Sequence, residues 1–399
     1  GAQLEQRSSV TAYTATTTAP ITNYIPALQS AASGVARFEH NPVTGESLGL
    51  EIEEQRTNLI LRSEEFSDAY WTKDNSTVAA NPVIAPDGTI SADKAIANTT
   101  STASHGVQRT QAVTVTPHTF SIYAKAGELS WIRLFVFQSG LSGVGAFFNV
   151  SNGTIGTVGA SATASITSVG NGWYRCSITY TPVSAAGATH YCYVGNSDNF
   201  AAYAGNDWNG TYIWGAQLEA GSFATSYIPT VASQVTRSAD SAVMTGTNFS
   251  SWYRTDEGTV YSEASTLVAA GNSRTAWALG FTSSSNDSTS LTSPYTGTGR
   301  YRLLGFVGST ANIDLYPATT FTSGSINKAG FAYAANDFAL SVNSGTVTTD
   351  TSGYMSPAID RFSIGTLTTG SNPLSGTIKK LAYYPKRLTN AELQGLTTV

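Results

Sequence analysis

The stretch Trp131-Ile132-Arg133-Leu134-Phe135-Val136-Phe137-Gln138 carries strong β-formers on both faces. Its apolar pattern has a period of two, not 3.6, so it reads as a strand. The same reading applies to 120–124, 145–150, 164–169, 211–218, 258–267, 276–281, 301–307, 328–333, 338–343, 361–365 and 376–384. Gly, Asn, Asp and Pro punctuate these runs at short intervals, as in all-β sandwiches. Helix signals are scarce. Ser63-Glu64-Glu65-Phe66 suits the cap of one short helical turn. Thr389-Asn390-Ala391-Glu392 has capping-box spacing before Leu393 and Leu396, which predicts a short C-terminal helix.

Composition narrows the class. With 399 residues, at roughly 100–200 residues per domain, two domains are expected. The chain is 41% hydrophobic and 11% aromatic, enough to build packed cores. Lys plus Arg is 21 and Asp plus Glu is 26, a net charge of 21 − 26 = −5. That argues against a nucleic-acid partner, which calls for a basic face. Only 12% of residues are charged, about half the usual share, so Ser, Thr, Asn and Gly supply the polarity. No apolar run approaches the roughly 20 residues of a membrane span, and no signal peptide is visible. The chain starts at Gly1, not Met, which suggests processing or a place in a longer polypeptide.

One internal repeat stands out. Gly1-Ala2-Gln3-Leu4-Glu5 recurs as Gly215-Ala216-Gln217-Leu218-Glu219, and without gaps Ser8, Thr11 and Tyr13 fall on Ser222, Thr225 and Tyr227. The second copy ends a run of strands. The simplest reading makes residues 1 to about 20 the closing strand of a preceding sandwich. The alternative pairs them with a neighbouring subunit or another protein. The expected organisation is an N-terminal segment and connector over 1–56, a first sandwich over 57–235 and a second over 236–399. Cys176 and Cys192 are too few for a disulfide framework or a structural zinc site. If 173–180 and 189–194 form a hairpin centred near Ser184, the two cysteines face each other. They are then either bridged or buried free thiols, and a reducing cytosol favours thiols.

Longer strings carry a resemblance. Ala36-Arg37-Phe38-Glu39-His40-Asn41-Pro42-Val43-Thr44-Gly45 and Gly49-Leu50-Glu51-Ile52-Glu53-Glu54-Gln55-Arg56-Thr57-Asn58-Leu59 resemble a connector of tail and head-fibre proteins of tailed bacteriophages. Ala85-Pro86-Asp87-Gly88-Thr89, Tyr123-Ala124-Lys125-Ala126-Gly127, Gly170-Asn171-Gly172-Trp173-Tyr174-Arg175 and Tyr212-Ile213-Trp214-Gly215-Ala216-Gln217-Leu218-Glu219 look like the jelly-roll module of phage fibres and spikes, related in shape to carbohydrate-binding modules. Arg361-Phe362-Ser363-Ile364-Gly365, the strand from Gly376 and Arg387-Leu388-Thr389 are similar to the laminin-G or concanavalin-A-like lectin fold. The resemblance implies two tandem antiparallel sandwiches, of jelly-roll kind, in a virion structural protein that attaches to host-surface glycans. It also implies a homo-oligomer, by analogy a trimer, beside other virion proteins on the particle surface. It brings no catalytic residue.

Candidate chemistry is sparse. His40, His105, His118 and His190 lack metal or nucleophile spacing, and no Gly-x-Ser-x-Gly, P-loop or His-Glu-x-x-His occurs. Glycoside cleavage would need paired carboxylates. Glu263 with Asp314, Asp337 or Asp360 are the candidates, and the sequence brings no two together, so no enzyme is expected and a polysaccharide depolymerase is the remote alternative. A purely architectural virion protein is the nearer one. No cofactor is required. If an ion binds, calcium suits the loop oxygens of Asp198, Asn206 and Asp207; the competing reading gives these residues to turns. For glycan stacking the candidates are Phe200, Tyr203 and Trp208 in an Asn-rich loop, and Trp252, Tyr295 and Tyr301 in the second sandwich.

Overall fold

A computed structural model describes residues 26–32, 34–99, 103–200, 202–268, 273–281, 284–292, 299–320 and 322–398. The chain is all-β, and every strand pairing is antiparallel. Alternation puts every second side chain on one face of a strand, so each sheet needs a second sheet against its apolar face.

In the first sandwich the front sheet runs Thr154–Val158, Gly145–Asn149, Trp131–Phe137, Gly187–Gly195, His105–Ala112, Thr72–Asp74. The back sheet runs Thr163–Gly170, Trp173–Tyr180, His118–Lys125, Gly210–Ala220, Ala92–Ala97, Ser76–Val83. Ile132, Leu134, Phe148 and Val194 from the front meet Phe120, Ile122, Ile178 and Leu218 from the back in one core.

The second sandwich pairs a seven-stranded with a six-stranded sheet. The seven strands are Phe38–His40, Ser47–Ile52, Gly376–Tyr384, Glu257–Thr266, Asn327–Ala334, Asp337–Val342 and Thr348–Asp350. The six are Ala242–Thr245, Arg361–Ile364, Thr275–Phe281, Ser284–Thr292, Arg302–Val307 and Thr310–Leu315. Trp277, Phe331, Tyr333, Phe338 and Phe362 fill the space between them. The stretch expected as a connector therefore supplies two strands of this sandwich, with Leu50 opposite Ile378 and Ile52 buried in its core. The chain enters and leaves the first sandwich side by side, since Arg56–Asn58 pairs with Val235–Arg237.

Much of the scarce charge gathers at this junction. Arg37 reaches Glu51 at 3.1 Å, Glu53 at 2.8 Å and also Asp240, while Arg237 reaches Glu53 at 2.7 Å and Arg274 reaches Glu54 at 2.8 Å. Ser226 of the first sandwich donates its backbone N–H to Glu53 at 2.8 Å and its hydroxyl to Glu51 at 2.9 Å.

The second copy of the repeat closes the first sandwich. Gln217 accepts from the Ile228 N–H at 2.7 Å, and Glu219 accepts from the Thr225 N–H at 2.9 Å and its hydroxyl at 2.7 Å. The Tyr227 and Ser63 hydroxyls share a bond of 2.7 Å. The first copy lies outside the described residues.

Two local expectations are corrected. Segment 63–66 forms successive turns closed by Glu65 N–H to Arg62 O and Asp68 N–H to Glu65 O, not a helix. Strands Trp173–Tyr180 and Gly187–Gly195 do not form a hairpin: the short loop between them crosses from back sheet to front. Cys176 and Cys192 are buried free thiols in opposite sheets, and burial pushes the Cys192 thiol up to about 12. The C-terminal helix Asn390–Leu396 has its capping box, and its Leu393 is fully buried.

Candidate functional site

The register of the front sheet decides what lies outside the first sandwich. Ile132, Leu134 and Val136 point into the core, so Trp131, Arg133, Phe135 and Phe137 point out. On the next strand Thr189, Tyr191 and Tyr193 do the same, opposite Phe137, Phe135 and Arg133. Beyond it, Gln108 stands opposite Tyr191 and Thr110 opposite Thr189. On the other side Phe147 stands opposite Arg133. Four strands of the front sheet thereby assemble one surface.

The rings pack against one another. Phe135 lies 5.5 Å from Tyr191, which stacks on Tyr193 at 5.1 Å. Phe137 is 55% exposed, a large apolar side chain left open to solvent. Polar groups sit at the rim. Asp74 accepts from Gln108 at 2.6 Å and from the Tyr193 hydroxyl at 3.3 Å. Gly106, opposite Tyr193, presents no side chain, so the hydroxyl reaches across it to Asp74. Burial, and after it the Asp74 carboxylate, push the Tyr191 and Tyr193 phenols above their ordinary value, so both stay hydroxyls.

Arg133 is the unusual member. Its guanidinium lies over Phe135 at 4.4 Å and Phe147 at 5.2 Å. Its Nε is buried without a hydrogen-bond partner. Burial lowers its pKa from the ordinary 12.5, and it remains a cation.

A loop closes one end of this face. Asp198 accepts from the Thr157 N–H at 2.8 Å and its hydroxyl at 3.1 Å, which pins 196–200 to the neighbouring strand. Phe200 covers Phe147 edge-on at 5.2 Å. Two glycines let this loop lie flat. A Cβ at Gly195 would come within 2.4 Å of the Phe200 ring, and one at Gly156 within 2.2 Å of the Asp198 carboxylate.

Of the residues singled out in the sequence, Phe200 and Asp198 belong to this wall. Phe200 is itself buried, as is Tyr301. Tyr203 turns inward, giving its hydroxyl to Val194 O at 2.8 Å. Trp208 is 60% exposed but stacks on no described ring. Its loop holds itself: Asn206 accepts from the N–H groups of Trp208 and Asn209, and Asp207 from that of Thr99. Trp252 packs among Phe249, Tyr383 and Phe362 in the second core. Tyr295 lies outside the described residues. Among the described residues no three His, Cys, Asp or Glu side chains converge as a metal site. Each of the four carboxylates weighed for hydrolysis has a partner of its own. Glu263 accepts from Tyr261, Asp314 pairs with Arg302, Asp337 with Arg387 and Asp360 with Arg361.

The second sandwich carries a groove of about 180 Å³ on the outer face of its six-stranded sheet, lined by Ser288, Ser290, Thr292, Leu304 and Phe306. Arg302 at its edge is forked onto Asp314 at 2.9 and 2.8 Å.

Fold and face together define a two-sandwich, all-β chain with an open aromatic platform on one sheet. No protein-family model and no curated protein matches its sequence. Among solved structures it is similar to the CBM40 module of the Ruminococcus gnavus IT-sialidase, at 16% identity over 36% of this chain and 84% of that one, with a TM-score of 0.32. It is also similar to the laminin α2 LG1–3 region (12%, 74% and 67%, 0.28) and to mouse laminin α1 LG4–5 (10%, 74% and 88%, 0.27). Scores this low leave the geometry above as the ground for a functional reading.

Proposed function

We propose that the chain is a glycan-binding β-sandwich protein, with the front-sheet platform of the first sandwich as its site. The open Phe135–Tyr191–Tyr193 surface, edged by Gln108 and Asp74, is the observation that carries this. Sugar C–H faces pack on such rings, while a carboxylate, an amide and phenols bond the hydroxyls. The residues bind and orient a ligand; they do not cleave it. With the resemblance in the connector and jelly-roll strings, the reading extends to a fibre or spike protein of a tailed phage. There it would be displayed outside the particle as a homo-oligomer, by analogy a trimer. Weak contacts would then gain strength from copy number.

Titration of the full chain against a bacterial surface-glycan array tests the reading. Phe135→Ala and Tyr191→Ala are expected to weaken binding at least tenfold without loss of fold, and Trp208→Ala to leave it unchanged. No binding at millimolar sugar overturns it. A second reading, a purely architectural spacer, is favoured by the repeated Gly-Ala-Gln-Leu-Glu string, because its second copy closes a sandwich. Imaging of the particle separates the two, since a spacer has its platform covered by neighbouring protein.

A further inference from the structure

Arg133 differs from every other described arginine. Arg37, Arg56, Arg62, Arg237, Arg254, Arg274, Arg302, Arg361 and Arg387 have acidic partners. Arg109, Arg175 and Arg300 donate to backbone carbonyls. Arg133 has neither ion pair nor hydrogen bond among the described residues. It rests on the faces of Phe135 and Phe147, half-buried.

Ring faces attract a cation but satisfy none of its N–H donors. An arginine held this way keeps its planar fork for an oxyanion, and partial burial protects that interaction from salt. The loop pinned by Asp198 stands on the Phe147 side and screens that end from solvent. Asp74 lies on the far side. The strands of Arg133 and Asp74 are three steps apart in the sheet, about 14 Å at the usual strand spacing. One row across the platform thus runs from a free cation, over Tyr193, to a carboxylate that accepts hydroxyl donors.

We infer that this row reads an acidic glycan in one direction, with an oxyanion substituent of one sugar on Arg133 and the hydroxyls of the adjoining sugar toward Tyr193 and Asp74. The inference rests on the glycan reading of the same platform. A carboxylate of a uronic or sialic sugar and a sugar phosphate share the chemistry the fork recognises.

The test is calorimetric titration of the full chain with uronate, sialylated and phosphorylated oligosaccharides. Each is set beside its neutral partner, made by carboxyl reduction or phosphatase treatment, and these two treatments tell carboxylate from phosphate. An acidic member is expected to bind and its neutral partner to bind at least tenfold more weakly. Arg133→Met keeps the packing against Phe135 and Phe147 and removes the charge. It is expected to lower acidic binding by the same factor and to abolish the difference within the pair, with Arg133→Lys between. Phe135→Ala is expected to weaken both members alike. Neutral and acidic members binding equally, or Arg133→Met keeping wild-type affinity, overturns the acidic assignment and leaves the platform standing if Phe135→Ala still weakens binding. Silence from every member at millimolar concentration overturns both. The unfolding temperature of Arg133→Met, expected near wild type, separates loss of charge from loss of fold.

Discussion

The two sandwiches are finished differently on the outside. On the first, the outward positions of the front sheet are Arg133, Phe135, Phe137, Tyr191 and Tyr193, and the cation among them is unpaired. On the second, the outer face of the six-stranded sheet mixes Ser288, Ser290 and Thr292 with Leu304 and Phe306, and its cation, Arg302, is already forked onto Asp314. On the other outer face of the second sandwich the C-terminal helix covers one patch, where Leu393 sits on Ala332 and Ala339. The positions covered by the helix are alanines, whereas the front sheet of the first sandwich leaves large aromatic side chains in the open. A face with its bonds unmade points to a ligand.

The largest expected effect tests whether the two units share only their junction. Phe331 is fully buried in the second core, against Trp277, Tyr333 and Phe338. Phe331→Ala is expected to destabilise that sandwich by about 3–5 kcal/mol in denaturant unfolding. Glycan affinity at the platform is expected to be unchanged under native conditions. Loss of affinity in a still-folded variant would break the comparison.

Acid separates the two regions next. His190, in the first core, shares a 2.7 Å bond with the Tyr180 hydroxyl, and burial holds its pKa near 3, below the ordinary 6.5. As pH falls below 6.5, the unfolded chain takes up a proton that the folded one refuses, so stability falls. From pH 7 to 5 this group's own contribution falls by about 2 kcal/mol. His190→Gln is expected to remove this fall in urea titrations at the two pH values. Glu51, on a strand of the second sandwich, behaves in the opposite sense. Burial and then the adjacent Glu53 raise its carboxyl to about 7, despite Arg37. Its folded pKa lies above the ordinary 4.5, so its contribution is fully present below 4.5 and lost as pH rises through 7. Between pH 7 and 5 it therefore opposes the His190 loss, and Glu51→Gln is expected to expose an acid loss that wild type largely lacks. A variant with an unchanged slope would remove Glu51 from the account.

How much of this was legible in the letters depends on range. Strand positions were readable, because alternation is local: 376–384 and 276–281 appear within a residue or so of where they were expected. The capping box was readable for the same reason. The platform was not. Trp131–Phe137 carries large residues on both faces, so its letters do not say which face is core. Its neighbour Gly187–Gly195 lies some fifty residues away in sequence, and the hairpin reading assigned that strand to Trp173–Tyr180 instead. The loop aromatics drew attention because Asn and Asp surround them. Those polar groups serve the loop's own turns. The one signal available was Arg133 among aromatics, and it acquires meaning only when every other described arginine is found with a partner.

The smallest effect sharpens the contrast between a covered and an uncovered face. Thr389 accepts from the Glu392 N–H at 3.2 Å, and Glu392 accepts from the Thr389 N–H at 2.8 Å. A seven-residue helix is too short to persist alone. It stays in place because this box satisfies its first turn and Leu393 is fully buried over Ala332 and Ala339. Thr389→Ala is expected to cost about 1 kcal/mol, seen as a small drop in the unfolding midpoint. Faster amide exchange is expected in 390–396. No glycan affinity beyond that of the platform should appear, because the patch beneath Leu393 is alanine and offers neither ring nor free cation. New binding on fraying would mean that the helix hides a second platform, and that covering, not side-chain choice, is what separates the two sandwiches.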